Sequence, residues 1–253
     1  MPPGPVHESA ATGYQRNADA YVQARPSYHP DVVDRLVADL GTQVWLDVGA
    51  GTGIATRTLS ERGIQVIAVE PVESMRAQLA ASLPAVDVRD GRSDALPVPD
   101  ASVDVVLAAQ AFHWFDHGPT LDEIARVLQP GGALVTLWNV RDESVPWMAE
   151  WTRIVDEYAG DTPRWRTQKW RIALEADPRF DLVAEHQQPN PWRTNAEGVV
   201  ARARSTSFIG ALDSDTIDRV EAALRAAVAP LGDAFDFPYD TQAQVWGLSL
   251  IHI

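Results

Sequence analysis

The sequence predicts an α/β fold in which a parallel β-sheet is covered by helices on both faces. Short, nearly continuous apolar runs alternate with longer segments of helical periodicity, which is typical of successive βαβ units. A glycine-rich turn joins the first apolar run to the helix that follows it. The chain has 253 residues, enough for one large domain, so we expect a single domain over residues 1–253.

The composition narrows the possible partners. The net charge of −14 would repel polyphosphate, so we do not expect nucleic acid as the main partner. The absence of cysteine excludes disulfides, thiolate nucleophiles and cysteine-based zinc sites, and we expect no metal site. No segment has the length of a membrane span or the pattern of a targeting peptide, so we expect a cytoplasmic protein with no membrane partner.

The first half of the chain alternates predicted helices and strands. A helix over residues 30–40 begins at Pro30, which suits a first helical turn, and its apolar residues form one stripe. Gly41 and Gly63 mark the ends of two helices, and residues 130–132 (PGG) predict a sharp turn. The other predicted helices cover residues 54–62, 72–82 and 119–128, and the predicted strands cover 44–48, 65–69, 86–89, 103–109 and 133–140.

The second half of the chain has a different pattern. Tryptophan is frequent at residues 147, 151, 165 and 170, which we interpret as an aromatic insertion on the sheet rather than a separate domain. Residues 180–186 predict a strand and residues 237–246 a final strand. Residues 214–229 predict a helix with one apolar face.

The turn at residues 47–53 (DVGAGTG) is the motif that carries chemistry. Its glycines allow positive φ and close approach of a ligand, and the helix that follows offers free N–H donors. We therefore expect a nucleoside cofactor at the carboxyl end of the strands. The dinucleotide fingerprint fails, because its third small residue would fall on Ile54 or, counted from Gly51, on Thr56. A phosphate-binding loop also fails, because no Gly-Lys-Ser/Thr follows.

Two acidic residues lie where they could hold a nucleoside. Glu70 ends the second predicted strand, 21 residues after Gly49, and its carboxylate could accept hydrogen bonds from both ribose hydroxyls. Asp94, in the loop after the third strand, could accept from an adenine amino group. The alternatives are an exposed acid at a strand end for Glu70 and a turn or cap aspartate for Asp94.

With these motifs in order, the sequence resembles the class I S-adenosylmethionine-dependent methyltransferases. The matching segments are 44–53, 69–71, 93–97, 103–114 and 128–132, and the resemblance covers about residues 14–140. More narrowly, the sequence is similar to small-molecule methyltransferases of the Methyltransf_11 type. Residues 21–28 (YVQARPSY) and the pair His113-Trp114 support that narrower resemblance.

The resemblance implies a fold and a set of binding residues. The fold would be a Rossmann-like three-layer sandwich with a seven-stranded, mostly parallel sheet whose last strand is antiparallel. S-adenosyl-L-methionine would be the cofactor, with Glu70 at the ribose and Asp94 at the adenine amino group. The other donor-binding residues would be Tyr21, Arg25, Asp47, Gly49, Ala50, Gly51, Gly53, Pro71, Ala95 and Gln110.

The resemblance also implies three regions within the single domain. Residues 14–140 would form the donor-binding core, residues 141–212 the cap over the acceptor, and residues 213–253 a C-terminal helix and strand. The acceptor would be a small molecule, and the protein a monomer or a homodimer.

Methyl transfer requires alignment of an acceptor atom and, for some acceptors, a base. His113, just past the fourth predicted strand, is the candidate catalytic residue. The alternative is a packing histidine that orients Trp114 or lines the donor pocket.

The segment 164–171 (RWRTQKWR) carries four cations and no acid. We expect it to help attract an anionic acceptor, and Arg202 and Arg204 could act in the same way. The alternative is a solvated helix face.

Two other functions remain open from the sequence. One is a non-catalytic protein that binds S-adenosylmethionine, because this fold needs no fixed catalytic residue. The other is an NAD-dependent oxidoreductase, against which the position of the third glycine argues.

Overall fold

The computed structural model describes residues 25–41 and 43–249 of the chain. Its helices are α1 (Pro30–Leu40), α2 (Ile54–Ser60), α3 (Glu73–Ser82), α4 (His117–Val127), α5 (Pro146–Asp156), α6 (Lys169–Ala176), α7 (Ala196–Arg204), α8 (Ser207–Gly210) and α9 (Ser214–Val228). Its strands are β1 (Val44–Val48), β2 (Gln65–Val69), β3 (Asp87–Arg89), β4 (Val103–Ala109), β5 (Leu128–Arg141), β6 (Phe180–Pro189), β7 (Trp192–Thr194), β8 (Phe235–Phe237) and β9 (Tyr239–Leu248).

Seven strands form one sheet in the order β3-β2-β1-β4-β5-β9-β6. Strands β1 to β5 pair in parallel, whereas β9 runs antiparallel to both of its neighbours, β5 and β6. The predicted seven-stranded α/β sandwich with an antiparallel last strand is therefore confirmed. Strand order reverses between β1 and β4, and the carboxyl ends of parallel strands at such a point form a crevice that suits a ligand.

Helices cover both faces of the sheet because neighbouring strand residues point to opposite sides. Trp45 of β1 packs with α1 and α2, while Leu46 packs with α4 and α6 on the other face. Both side chains are fully buried. The near-continuous apolar runs of the sequence follow from this two-sided burial.

A third apolar cluster lies apart from the sheet faces. Helices α5, α7, α8 and α9 supply most of it, with aromatic residues from the small β7–β8 sheet. Strand β6 and helix α6, by contrast, come from the middle of the predicted cap region but belong to the main sheet and its core. The division of the chain into three regions remains a prediction.

The predicted turn at residues 130–132 takes a different form. Strand β5 begins at Leu128, and its pairing with β4 shifts between Val103 and Val105, so residues 128–133 form an irregularity inside the strand. Gly131 has a φ of +81° there. Strand β5 therefore begins before residues 130–132, which form a bulge inside it, whereas the predicted strand began after them. None of the described helices is long and apolar enough to cross a membrane.

We expect Gly132→Ala to destabilise the fold, because a Cβ at Gly132 would lie 2.8 Å from the carbonyl oxygen of Asp104 and 2.9 Å from that of Gln129. Relief of these contacts requires movement of backbone, at a cost of about 1–3 kcal/mol. Urea unfolding would measure it. The control is Gly118→Ala in α4, where a Cβ meets nothing within 4 Å and stability should be unchanged or slightly raised. Equal midpoints for the two variants would contradict the prediction.

Candidate functional site

The glycine turn after β1 is fastened to the end of β2. The backbone N–H groups of Gly49 and Ala50 both donate to the carbonyl oxygen of Val69, at 2.9 and 3.1 Å. Gly49, Gly51 and Gly53 all have positive φ, at +73°, +59° and +88°. The turn therefore has the left-handed conformations that favour glycine.

The three glycines are needed for different reasons. A Cβ on Gly49 would lie 2.9 Å from the Cβ of Ala111, and one on Gly53 would lie 2.9 Å from Cγ of Leu79. At Gly51 the nearest atom to an added Cβ is Sδ of Met75 at 3.9 Å. Gly49 and Gly53 thus allow close packing of the turn, whereas Gly51 leaves open space.

Glu70 locks the turn from the end of β2. Its Oε2 accepts from the backbone N–H of Gly51 and its Oε1 from that of Val72, both at 2.8 Å. The side chain is only 4% exposed. Burial raises the pKa of Glu70 to about 6, and the two backbone donors oppose that rise.

Asp47 lies beneath the turn. It is fully buried, and the hydroxyl of Thr56 donates to its Oδ2 at 2.6 Å. Burial raises the pKa of Asp47 to about 6, and the hydrogen bonds of Thr56 oppose that rise. Asp47 therefore supports α2 and the turn from behind, and its predicted part in donor binding stays a prediction.

A cavity of about 440 Å³ opens beside the turn, at the carboxyl ends of β1, β2 and β4. This volume is within the usual range for a small-molecule site. Eight of the predicted donor-binding residues line it: Arg25, Gly49, Ala50, Gly51, Glu70, Pro71, Asp94 and Gln110. Asp47, Gly53 and Ala95 are not among its lining residues, and Tyr21 lies outside the described residues. Three residues that the sequence analysis missed, Met75, Phe115 and Tyr239, also line it.

Two of the lining residues, Asp94 and Gln110, are held in place by contacts with neighbouring residues. Oδ1 of Asp94 accepts from Nε of Arg92 at 2.9 Å, so this aspartate is ion-paired at the cavity wall. Gln110 has a φ of +56°, which is uncommon for a residue other than glycine. Its Nε2 donates to the carbonyl oxygen of Asn139 at 3.2 Å, which ties the end of β4 to β5.

Asn139 fastens the segment before α1 to the sheet. Its Nδ2 lies within hydrogen-bond distance of the carbonyl oxygens of Pro26 and Ser27, and its Oδ1 accepts from Oγ1 of Thr241 at 2.6 Å. This anchorage holds Arg25 over the cavity. The signal for Asn139 was present in the sequence, as a polar residue at the end of the fifth predicted strand.

A second cavity of about 140 Å³ adjoins the first. The two cavities share six lining residues: Arg25, Gln110, Trp114, Asn139, Arg202 and Tyr239. Five arginines and two carboxylates line the second cavity, the arginines being residues 25, 141, 164, 166 and 202 and the carboxylates Glu143 and Asp156. Positive charge therefore predominates there, in a chain whose net charge is −14.

Only part of the predicted basic segment 164–171 lies at the second cavity. Arg164 and Arg166 line the second cavity, and both approach the carboxylate of Asp156, at 2.8 and 2.5 Å. Arg171 does not line it and pairs with Glu175 and Glu185 on the exposed side of α6. Arg204 pairs with Glu221 and also lies outside the cavity lining.

His113 lines the second cavity and not the first. Its ring lies 5.1 Å from that of Trp114 and 5.5 Å from that of Trp138, between centroids. Burial, helped by the charges of Arg25 and His117, lowers the pKa of His113 to about 3. A histidine with so low a pKa is a weak base near neutral pH, so the geometry favours the packing alternative over general-base catalysis.

The residues present at the first cavity fit a nucleoside donor. Gly51 lines the cavity with open space where a side chain would otherwise project. The carboxylate of Glu70 lines the same wall and can accept further hydrogen bonds from ligand hydroxyls.

Comparisons with known proteins identify the family of the chain. The Methyltransf_11 model, described as a methyltransferase domain, matches residues 46–136. A methyltransferase of Mycobacterium tuberculosis, itself uncharacterized, is 46% identical over 178 residues, which cover 65% of this chain and 72% of that protein. The chain belongs to the class I S-adenosylmethionine-dependent methyltransferases.

Other relatives of this methyltransferase extend the agreement. An uncharacterized methyltransferase-like protein of Schizosaccharomyces pombe is 39% identical over 208 residues, which cover 81% of each chain. The solved structure of a proposed type II methyltransferase from Anaeromyxobacter dehalogenans has a TM-score of 0.62 at 24% identity, covering 88% of this chain and 97% of that one. Membership of the family confirms the expected class of enzyme and S-adenosylmethionine as its cofactor, and argues against the NAD-dependent alternative.

We expect Asp47→Asn to flatten the dependence of stability on pH. Because the pKa of Asp47 rises from 3.8 in the unfolded chain to about 6 in the folded protein, protonation of Asp47 favours the folded state. That contribution is fully present below about pH 4 and is lost as the pH rises through about 6. Removing it should reduce the change in unfolding free energy between about pH 4.5 and about pH 7.5 by about 2 kcal/mol.

Urea unfolding at the two pH values would measure this change. Asp181→Asn, at an exposed position of β6, is the control and should keep the wild-type pH dependence. A wild-type pH dependence in Asp47→Asn would contradict the assignment. Glu70 contributes with the same sign, so some pH dependence should remain in the Asp47 variant.

Proposed function

We propose that this methyltransferase acts on a small anionic molecule that binds in the second cavity. The observation that supports this proposal is the excess of arginine over carboxylate around a cavity that shares a wall with the donor cavity. Guanidinium groups bind carboxylate and phosphate oxygens through paired, charge-assisted hydrogen bonds. A volume of about 140 Å³ suits a small acceptor.

The donor cavity would hold S-adenosylmethionine through the residues that line it. The glycine turn would approach the methionine portion, Glu70 the ribose hydroxyls and Asp94 the adenine amino group. Arg25 would cover the donor, because Asn139 anchors the carbonyl oxygen of the next residue, Pro26, and Nη2 of Arg25 donates to the carbonyl oxygen of Ser205 at 3.0 Å. When bound, the donor supplies a methyl group that its sulfonium has already activated.

The protein would contribute mainly alignment and exclusion of water. Trp114, Asn139 and Tyr239 line the region shared by the two cavities, through which the acceptor would reach the methyl group. Aromatic walls there limit water around the reacting atoms. His113 would serve to pack Trp114 and Trp138 in this arrangement.

We expect Glu70→Gln to weaken binding of S-adenosylhomocysteine about 10- to 100-fold. A glutamine amide has one accepting oxygen, so it cannot accept from both Gly51 and Val72 and also from a ligand hydroxyl. Calorimetry would give the two dissociation constants. The control is Glu73→Gln at an exposed position in the first turn of α3, which should bind like the wild type. Unchanged affinity in Glu70→Gln would show that the donor is held elsewhere.

Turnover with matched acids and neutral analogues tests the proposed acceptor. We would supply S-adenosylmethionine with pairs such as succinate and succinamide, or glycerol phosphate and glycerol, and measure formation of S-adenosylhomocysteine. Turnover confined to anionic members is expected, because the neutral members cannot pair with the arginines. Equal turnover of neutral members would contradict the proposal, and donor binding with no turnover on any compound would favour the non-catalytic alternative.

A further inference from the structure

The arginines of the second cavity lie in two groups along its length. Arg25 and Arg202 line the region shared with the donor cavity, whereas Arg141, Arg164 and Arg166 line the second cavity only. The first group is therefore close to the place of methyl transfer and the second group is farther from it. In the proposed function Arg25 covers the donor, which leaves Arg202 to face the acceptor at the shared region.

Arg202 has neutral partners. Its Nε donates to Oη of Tyr239 at 2.7 Å, and its Nη1 donates to the hydroxyls of Ser205 and Thr206 at 3.2 and 3.3 Å. Among the residues that the structure describes, no carboxylate forms an ion pair with it. These hydroxyls fix the guanidinium in place without neutralising its charge, so an acceptor anion can do so.

Arg141 is the second cation that lacks a close carboxylate. The nearest, Oδ1 of Asp156, lies 3.9 Å from its Nη2, while Oδ2 of the same carboxylate is approached by Arg164 and Arg166 at 2.8 and 2.5 Å. The guanidinium instead lies over the ring of Trp151, with Cζ 4.8 Å from the centroid. The single carboxylate of Asp156 thus lies near three arginines, and it compensates the charge of Arg141 least because Arg141 is the most distant of the three.

Arg141 and Arg202 lie close enough to repel each other. In the antiparallel pairing of β5 with β9, Arg141 is opposite Tyr239, whose hydroxyl accepts from Arg202. Burial lowers the pKa of Arg141 to about 10, and the charge of Arg202 contributes to that decrease. Two cations held this near each other at a cavity wall suit a ligand with two negative groups.

The described lining of the second cavity offers no good base. Asp156 and Glu143 are ion-paired with arginines, and the hydroxyl of Tyr239 already accepts from Arg202. The ring of His113 packs against two tryptophans, and its pKa is too low for it to take up a proton near neutral pH. An acceptor atom that is already anionic, such as a carboxylate oxygen, needs no base.

We propose that the acceptor is a small dicarboxylate, which Arg141 anchors through one carboxylate and which is methylated on the other carboxylate beside Arg202. This inference rests on the proposed function and adds the class of substrate and the atom that is methylated. An oxygen of the carboxylate forms the new bond to the methyl carbon as the carbon–sulfur bond breaks, and that electron pair stays on sulfur. The charges of the carboxylate and the sulfonium disappear together, no proton is released, and the product is a monomethyl ester.

Binding to the S-adenosylhomocysteine-loaded protein gives a first test that does not depend on turnover. Calorimetric titrations would compare succinate, glutarate and adipate with the monomethyl ester and the monoamide of each. At least one dicarboxylate should bind about 10-fold or more tightly than its own monoester, because the monoester gives up one charged contact. Equal binding of the dicarboxylate and the monoester across all three series would overturn the proposal.

Substitutions of the two arginines test which group each carboxylate meets. Arg141→Gln should weaken binding of both the dicarboxylate and the monoester about 10-fold or more, because both keep a carboxylate at Arg141. Arg202→Gln should weaken binding of the dicarboxylate and leave binding of the monoester nearly unchanged. Arg171→Gln, on the exposed side of α6, is the matched control and should bind like the wild type. Unchanged binding of the monoester in Arg141→Gln, or its loss in Arg202→Gln, would overturn the assignment of the two arginines. The comparison of ligands on the wild-type protein holds even if a variant fails to fold.

The chemical nature of the product gives the decisive readout. With a donor labelled in its methyl group, treatment of the product with base should release the label as methanol, and a pH indicator should record no proton release per turnover. A base-stable label or one proton per turnover would overturn the proposal. If another anion, such as glycerol phosphate, gives a base-stable methylated product, the dicarboxylate is wrong and the proposed function stands. If no anion binds or turns over, both fail.

Discussion

The site depends on one buried carboxylate that connects two strand ends. Glu70 accepts from the backbone of Gly51 on one side and of Val72 on the other, so a single side chain holds the glycine turn against the start of α3. Asp47 supports the same turn from below through Thr56. Together they fix three left-handed glycines at the sheet edge where strand order reverses. The donor cavity exists because this arrangement keeps side chains out of the space beside Gly51.

Most of the donor half could be predicted from the sequence because its signals are local. Each strand there is a short apolar run, and the functional residues follow directly after strands, as Gly49, Glu70 and Gln110 do. The position of Asp47 has a local cause too, and its role at the donor stays a prediction. As the last but one residue of β1, it points into the layer below the turn and not into the cavity.

The acceptor half could not be predicted in the same way. Arg141 ends a long strand and Arg202 lies on α7, 61 positions later in the chain, and they meet only because β9 returns beside β5 and brings Tyr239 between them. The basic segment 164–171 was visible in the sequence, but its partners were not. Asp156 and Glu143 offset Arg164 and Arg166, and this pairing leaves Arg141 and Arg202, rather than that segment, as the cations with the weakest compensation.

Three charged groups at or beneath the site share a desolvation cost, because each is buried. Burial raises the pKa of Asp47 and Glu70 and lowers that of Arg141, so in each case the protein disfavours the charged form that the site uses. Ligand hydroxyls and anionic groups would offset part of this cost, since they would supply hydrogen bonds to Glu70 and an opposite charge to Arg141 in place of the lost hydration. Under the proposed function, binding of donor and acceptor would therefore stabilise the fold as well as align the reacting atoms. In the proposed function, an arginine-rich cavity in a chain of net charge −14 would concentrate the attraction for anions beside the donor cavity.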